Sequence, residues 1–110
     1  MILTVFRSRL NTAVLDEYAA LAPVMSDLAK TMPGYISHKG FIAEDGERVT
    51  IVEFEDEASQ RNWSTNAQHV AAKKLGRSSF YTDYSIQVCE VKRESRHSTT
   101  KPQGSTGESR

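Results

Sequence analysis

The deciding stretch is residues 62–91, NWSTNAQHVAAKKLGRSSFYTDYSIQVCEV, in which a helical pattern gives way to a strand pattern. Small or apolar residues in its first half have the spacing of one buried helical face: Trp63, Ala67, Val70, Ala71 and Leu75. Glycine is the residue type that most often follows the last turn of a helix. We therefore predict a helix that runs without a break to Gly76.

The second half alternates with a period of two, which is typical of a strand. One predicted face carries Phe80, Tyr84, Ile86 and Val88, and the other carries Tyr81, Gln87, Cys89 and Val91. Because both faces have apolar residues, both need a cover. We expect the helices to cover one face and a second copy of the chain to cover the other.

The rest of the chain supplies the elements that pack against this helix and strand. Residues 2–10 favour a strand, and the apolar residues between 14 and 32 keep helical phase on both sides of Pro23, which predicts one kinked helix. Residues 35–43 and 48–55 favour two strands joined by a turn at Asp45-Gly46. Asp56 is a good first residue for the second helix.

The resulting β-α-β-β-α-β order predicts an α+β, ferredoxin-like fold, in which a four-stranded antiparallel sheet carries two helices on one face. We expect one domain over residues 1–91. Residues 92–110 are polar and basic, and we predict that they form a disordered tail.

Charge and composition exclude several classes of partner. Up to residue 91 the chain has nine Lys and Arg against twelve Asp and Glu, and this acidic body disfavours nucleic acid. No apolar run is long enough to cross a bilayer, so we expect no membrane partner. A single cysteine, Cys89, cannot form an internal disulfide, and we expect a cytoplasmic protein.

Familiar catalytic and metal motifs are missing from the sequence. The three histidines, His38, His69 and His97, lack the spacing of metal ligands, and no glycine-rich phosphate loop or nucleophile elbow is present. We therefore expect no metal site.

A group of polar and aromatic side chains is the candidate site. Trp63, Asn66 and His69 lie along one oblique edge of the predicted helix and are the candidate catalytic residues. Trp63 is also a candidate for substrate binding, together with Tyr18, Tyr81 and Tyr84. Two interpretations stay open: these residues are core and boundary residues, or they wall a cavity in which His69 or Asn66 bonds a flat aromatic ligand.

Three segments together resemble the antibiotic biosynthesis monooxygenase domain family: MPGYISHKGF, EDGERVTIVEFED and the pattern W-x5-H-x6-GR-x2-FY-x2-Y-x-I-x-V-x-EV that begins at Trp63. The resemblance covers residues 2–91. It implies a dimeric α+β barrel in which two ferredoxin-like subunits pack through their open sheet faces. It also implies a cofactor-independent oxidoreductase, a monooxygenase that acts with O2 on a small aromatic substrate such as a quinol or an anthrone-type polyketide.

Two alternatives accompany this hypothesis. Haem-degrading members of the family use an Asn on strand one and a Trp and a His ligand on helix two. This chain has Trp63, but it has no Asn before Asn11 and has Lys73 where we expect the ligand. The other alternative is a non-catalytic dimeric barrel that binds a small ligand, because a fold alone does not specify chemistry.

Overall fold

A computed structural model of the chain describes residues 1–99. Four strands and three α-helices follow one another in it: β1 (Ile2–Leu10), α1 (Leu15–Lys30), β2 (Tyr35–Ile42), β3 (Arg48–Phe54), α2 (Glu57–Thr65), α3 (Ala67–Leu75) and β4 (Tyr81–Glu90). A short 3-10 turn, Thr12–Val14, precedes α1, and a π-helical turn, Gly76–Phe80, joins α3 to β4. Across residues 1–99 no helix combines the length and hydropathy that a membrane crossing requires.

The strands form one antiparallel sheet in the order β2-β3-β1-β4, which confirms the predicted α+β, ferredoxin-like fold. In the middle of the sheet Phe6 pairs with Thr50 on one side and Ile86 on the other. Since side chains alternate along a strand, Phe6 and its partners share the face on which the helices lie. Leu3 and Val5 point to the opposite, uncovered face.

The first helix is continuous through Pro23, as predicted. Asn11 accepts a hydrogen bond from the backbone N–H of Ala13 and so caps the turn that leads into it. Toward its end α1 buries Ala29 against Phe54 and Trp63, and these three residues are the centre of the core.

The predicted second helix is two helices, because Asn66 leaves the helical conformation with φ −58° and ψ 133°. This break also changes which face of α3 is buried. Leu75, predicted to be buried, is 45% exposed, and Ala67 and Ala71 are exposed as well. The sequence-based prediction of one apolar face through Leu75 is therefore wrong beyond the break.

Gly76 does not end the helical path. It has φ −59°, and the chain continues through the π-helical turn as far as Phe80. A glycine is needed here for another reason: a Cβ at this position would lie 2.7 Å from Cε2 of Tyr81. The close approach of this ring, rather than a left-handed conformation, explains the residue type.

A β-bulge corrects the predicted faces of β4. Pairing with β1 shifts between Arg9 and Leu10, so that Leu10 lies opposite Tyr81 while Arg9 lies opposite Asp83. The extra residue turns Tyr81 toward the helix side, where it joins Tyr84 instead of pointing away from it.

After β4 the residues 92–99 contain no helix or strand and are exposed. The rest of the predicted tail, residues 100–110, lies outside the described residues.

Candidate active site

A cavity of about 480 Å³ lies between the helices and the helix-facing side of the sheet. Its floor comes from all four strands, and its walls come from α1, α2 and α3. This volume is in the range of sites that hold small organic molecules. Much of the lining is apolar or aromatic, with Phe6, Met25, Trp63, Phe80 and Ile86 among the lining residues.

One wall is a stacked pair of rings. Trp63 and His69 lie with their ring centroids 3.9 Å apart and their planes 11° apart. The indole is only 7% exposed and also packs in the core beside Ala29 and Phe54. Trp63 therefore serves the core and the cavity wall at once, so the two interpretations of this residue are compatible.

The break at Asn66 sets the geometry of this wall. The last carbonyls of α2 lack partners within the helix, and side chains from α3 reach back to satisfy them. His69 donates from Nδ1 to the Trp63 carbonyl at 2.9 Å, and Lys73 donates from Nζ to the Ser64 carbonyl at 2.7 Å. Donors and positive charge are favoured at a helix C-terminus, so this arrangement also stabilises α2.

The same hydrogen bond fixes the chemistry of His69. Since Nδ1 must carry a proton to donate to a carbonyl, Nε2 is the unprotonated nitrogen of the neutral ring. Burial lowers the pKa of His69, and the charge of Lys73 lowers it further, while the bond to the Trp63 carbonyl opposes the shift. At neutral pH His69 is therefore a neutral imidazole with one free lone pair, which is the form that a general base requires.

The three candidate tyrosines line the cavity at its β4 end. Tyr81 lies between the other two, with ring centroids 6.2 Å from Tyr18 and 5.9 Å from Tyr84. Burial, together with the nearby Tyr18 hydroxyl, raises the pKa of Tyr81 well above the usual tyrosine value. Tyr81 therefore stays protonated, and it can donate a hydrogen bond but cannot serve as a base near neutral pH.

Asn66 is placed differently from the other five candidates, because it is not among the residues that line the cavity. Its side-chain oxygen accepts hydrogen bonds from the backbone N–H groups of Gln68 and His69, at 2.9 and 3.1 Å. It thus caps α3, and by setting where this helix begins it sets the position of His69. This role makes Asn66 a positioning residue.

A second histidine at the cavity was not predicted from the sequence. His38 on β2 accepts or donates at both nitrogens: Nε2 lies 2.6 Å from Oγ of Ser26, and Nδ1 lies 2.6 Å from the Tyr35 hydroxyl. His38 and Ser26 line the cavity. The two bonds tie α1 to β2 and occupy both ring nitrogens, so His38 is less available than His69 for proton transfer.

Thr4 contributes a free polar group to the floor. Its Oγ1 is buried and has no hydrogen-bond partner within the described residues, although it lines the cavity. A buried hydroxyl without a hydrogen-bond partner costs stability unless a ligand or a water molecule bonds to it.

No group of three His, Cys, Asp or Glu side chains in residues 1–99 is arranged to hold a metal ion.

Known proteins resemble this chain in sequence and in fold. The chain is 30% identical to YqjZ, an uncharacterised protein of Bacillus subtilis (strain 168), over 77 residues, which are 70% of this chain and 68% of YqjZ. No family model matches the sequence.

Solved structures resemble the fold at low sequence identity. SnoaB, a cofactor-independent oxygenase from Streptomyces nogalater, superposes with a TM-score of 0.70 at 14% identity, over 84% of this chain and 94% of SnoaB. A candidate antibiotic biosynthesis monooxygenase from Deinococcus radiodurans has a TM-score of 0.78 at 9% identity, over 90% of this chain and all of that one. The chain therefore belongs to the same family as YqjZ, and its fold is that of antibiotic biosynthesis monooxygenase domain proteins.

Proposed function

We propose that the protein is a cofactor-independent monooxygenase that oxidises a small aromatic substrate, a quinol or an anthrone, with O2. The observation that carries the proposal is the stacked Trp63–His69 pair on the wall of an aromatic cavity. It combines a flat apolar surface with a neutral base whose proton-accepting nitrogen is defined.

Oxidation of such a substrate by O2 requires little from the protein beyond this apolar wall and this base. His69 takes the proton of the substrate hydroxyl, or of the carbon that gives an anthrone its enolate, and the resulting anion transfers an electron to O2. Recombination and loss of water then give the product: an anthrone and O2 yield an anthraquinone and H2O. The apolar walls hold the ring in place and keep bulk water from the radical pair.

The likeness to SnoaB supports this activity, because that protein is a cofactor-independent oxygenase with the same fold. A haem-binding function has less support. Lys73 occupies the position expected for the haem ligand, and its ammonium group donates to the carbonyl and hydroxyl of Ser64. A protonated amine has no lone pair for iron.

Oxygen uptake by metal-free and flavin-free protein tests the proposal. With 1,4-naphthoquinol or anthrone, uptake should exceed that in buffer, and His69→Gln should lower the catalysed rate by about a hundredfold, the low end for a general base. His97→Gln is the matched control, since His97 lies in the exposed segment after β4. Lack of uptake across a panel of such substrates, or equal rates for the two variants, would refute the assignment.

We also propose that the protein is a cytoplasmic homodimer, with the domain at residues 1–91 and residues 92–110 as a dispensable tail. The sheet face away from the helices carries Leu3, Val5 and Phe41, and Phe41 is 48% exposed in the single chain. Such a face favours association with a second copy. Sedimentation of the full chain and of a chain ending at Arg93 should give dimers for both.

A further inference from the structure

The charge of the cavity differs from that of the rest of the domain. Twelve acidic side chains lie in residues 1–91, yet none of them lines the cavity in the described part of the chain. Two cationic residues do line it, Lys73 on α3 and Arg77 one turn later. A net acidic body thus encloses a cavity that has positive charge on one wall only.

The two cations are free to act on a ligand. The Lys73 ammonium uses two of its three donors on the carbonyl and hydroxyl of Ser64, at 2.7 and 3.2 Å, so one donor remains. Arg77 is exposed and forms no ion pair within residues 1–99. Its five donors are therefore available at the edge of the cavity.

The residues that line the opposite side of the cavity include no charged side chain in the described part of the chain. The floor and the α1 wall present Phe6, Leu21 and Met25, with Thr4 as an uncharged polar group. A ligand with one apolar end and one anionic end would match this division, because each end would meet its complement.

We infer that the substrate is an aromatic acid, whose carboxylate binds at Lys73 and Arg77 while its rings lie against Trp63 and Phe6. The inference rests on the proposed function, since it takes this cavity as the substrate site. Guanidinium and ammonium groups bind carboxylates through short, charge-assisted hydrogen bonds. The carboxylate would also fix which end of the ring system faces His69.

A pair of matched probes tests the inference without turnover. Anthraquinone-2-carboxylate and anthraquinone-2-carboxamide have the same shape and differ in charge. Trp63 is the only tryptophan, so quenching of its emission reports binding in the cavity directly. We expect the carboxylate to bind about tenfold more tightly than the amide at low salt, and this preference to shrink in 0.5 M NaCl as the exposed charge is screened.

Three variants identify which side chains cause the preference for the carboxylate probe. Lys73→Gln and Arg77→Gln should each lower it by about threefold, as expected for a single partly exposed ionic contact. Lys74→Gln should leave it unchanged, because this neighbour on α3 has the same charge, is exposed and does not line the cavity. Arg77→Gln decides the matter if Lys73→Gln impairs folding through the loss of its bonds to Ser64.

Equal affinity for the two probes would overturn the inference, and so would a loss with Lys74→Gln as large as with Arg77→Gln. These outcomes are separate from the test of function. Oxygen uptake on neutral quinols without a carboxylate preference would refute only the aromatic acid. A carboxylate preference without oxygen uptake on any substrate would refute only the oxygenase.

Discussion

Replacing Trp63 with alanine tests whether the indole supports the core as well as the cavity wall. The side chain is 7% exposed, packs with Ala29 and Phe54, and stacks on His69 at 3.9 Å. Truncating a buried aromatic residue costs about 3–5 kcal/mol, and the lost ring stack accounts for about 1 kcal/mol of this. A small domain has about 5–15 kcal/mol in total, so Trp63→Ala should be close to its stability limit.

His69→Ala is the comparison, because it removes the same stack and one hydrogen bond but no core packing. We expect a cost of about 1–2 kcal/mol for it. Urea unfolding followed by circular dichroism at one protomer concentration measures both, since the tryptophan signal is lost in one variant. Trp63→Phe, with a cost between the two, gives a value if the alanine variant does not fold. A loss for Trp63→Ala equal to or below that for His69→Ala would refute the dual role of the indole.

Three further predictions concern Gly76, Asn66 and His69. Gly76→Ala should lower the melting temperature, because the new methyl group meets the Tyr81 ring at 2.7 Å, whereas Gly40→Ala, with 3.8 Å to its nearest neighbour, should change it little. Asn66→Ala should cost about 1 kcal/mol in urea unfolding through loss of the α3 cap, and Asn66→Asp should keep most of it. The pKa of His69 is lower in the folded protein than in the unfolded chain, so the unfolded chain binds more protons near pH 6.5. As the pH falls from 7.5 to 5.5, the free energy of unfolding of the wild type should therefore decrease more steeply than that of His69→Gln.

The order of elements could be predicted because each has a distinct local pattern. Alternation in β1 and β3, the Asp45-Gly46 turn and the helical phase around Pro23 all agree with one topology. What the sequence did not predict arises where a single residue acts against the pattern around it. Asn66 satisfies two N–H groups with its side chain and breaks a helix whose apolar spacing continues past it. The bulge that turns Tyr81 depends on pairing with β1, a contact distant in sequence.

The candidate site was predictable in its residue types and less so in its geometry. Trp63 and His69 are six residues apart, and an unbroken helix would put them about 120° apart around its axis. Only the break lets the two rings stack. His38, Thr4, Lys73 and Arg77 come from four separate elements or turns, and nothing in their spacing indicates that they meet at one cavity.

The pH dependence of oxygen uptake at saturating substrate is the most direct test of His69 as the base. For wild type the catalysed rate should rise through a pKa below 6.5 and level off above it, as the buried imidazole loses its proton. His69→Gln should lack this rise and keep only a low rate at every pH, while His97→Gln should match wild type. A wild-type profile without that inflection, or one that His69→Gln reproduces, would contradict the mechanism.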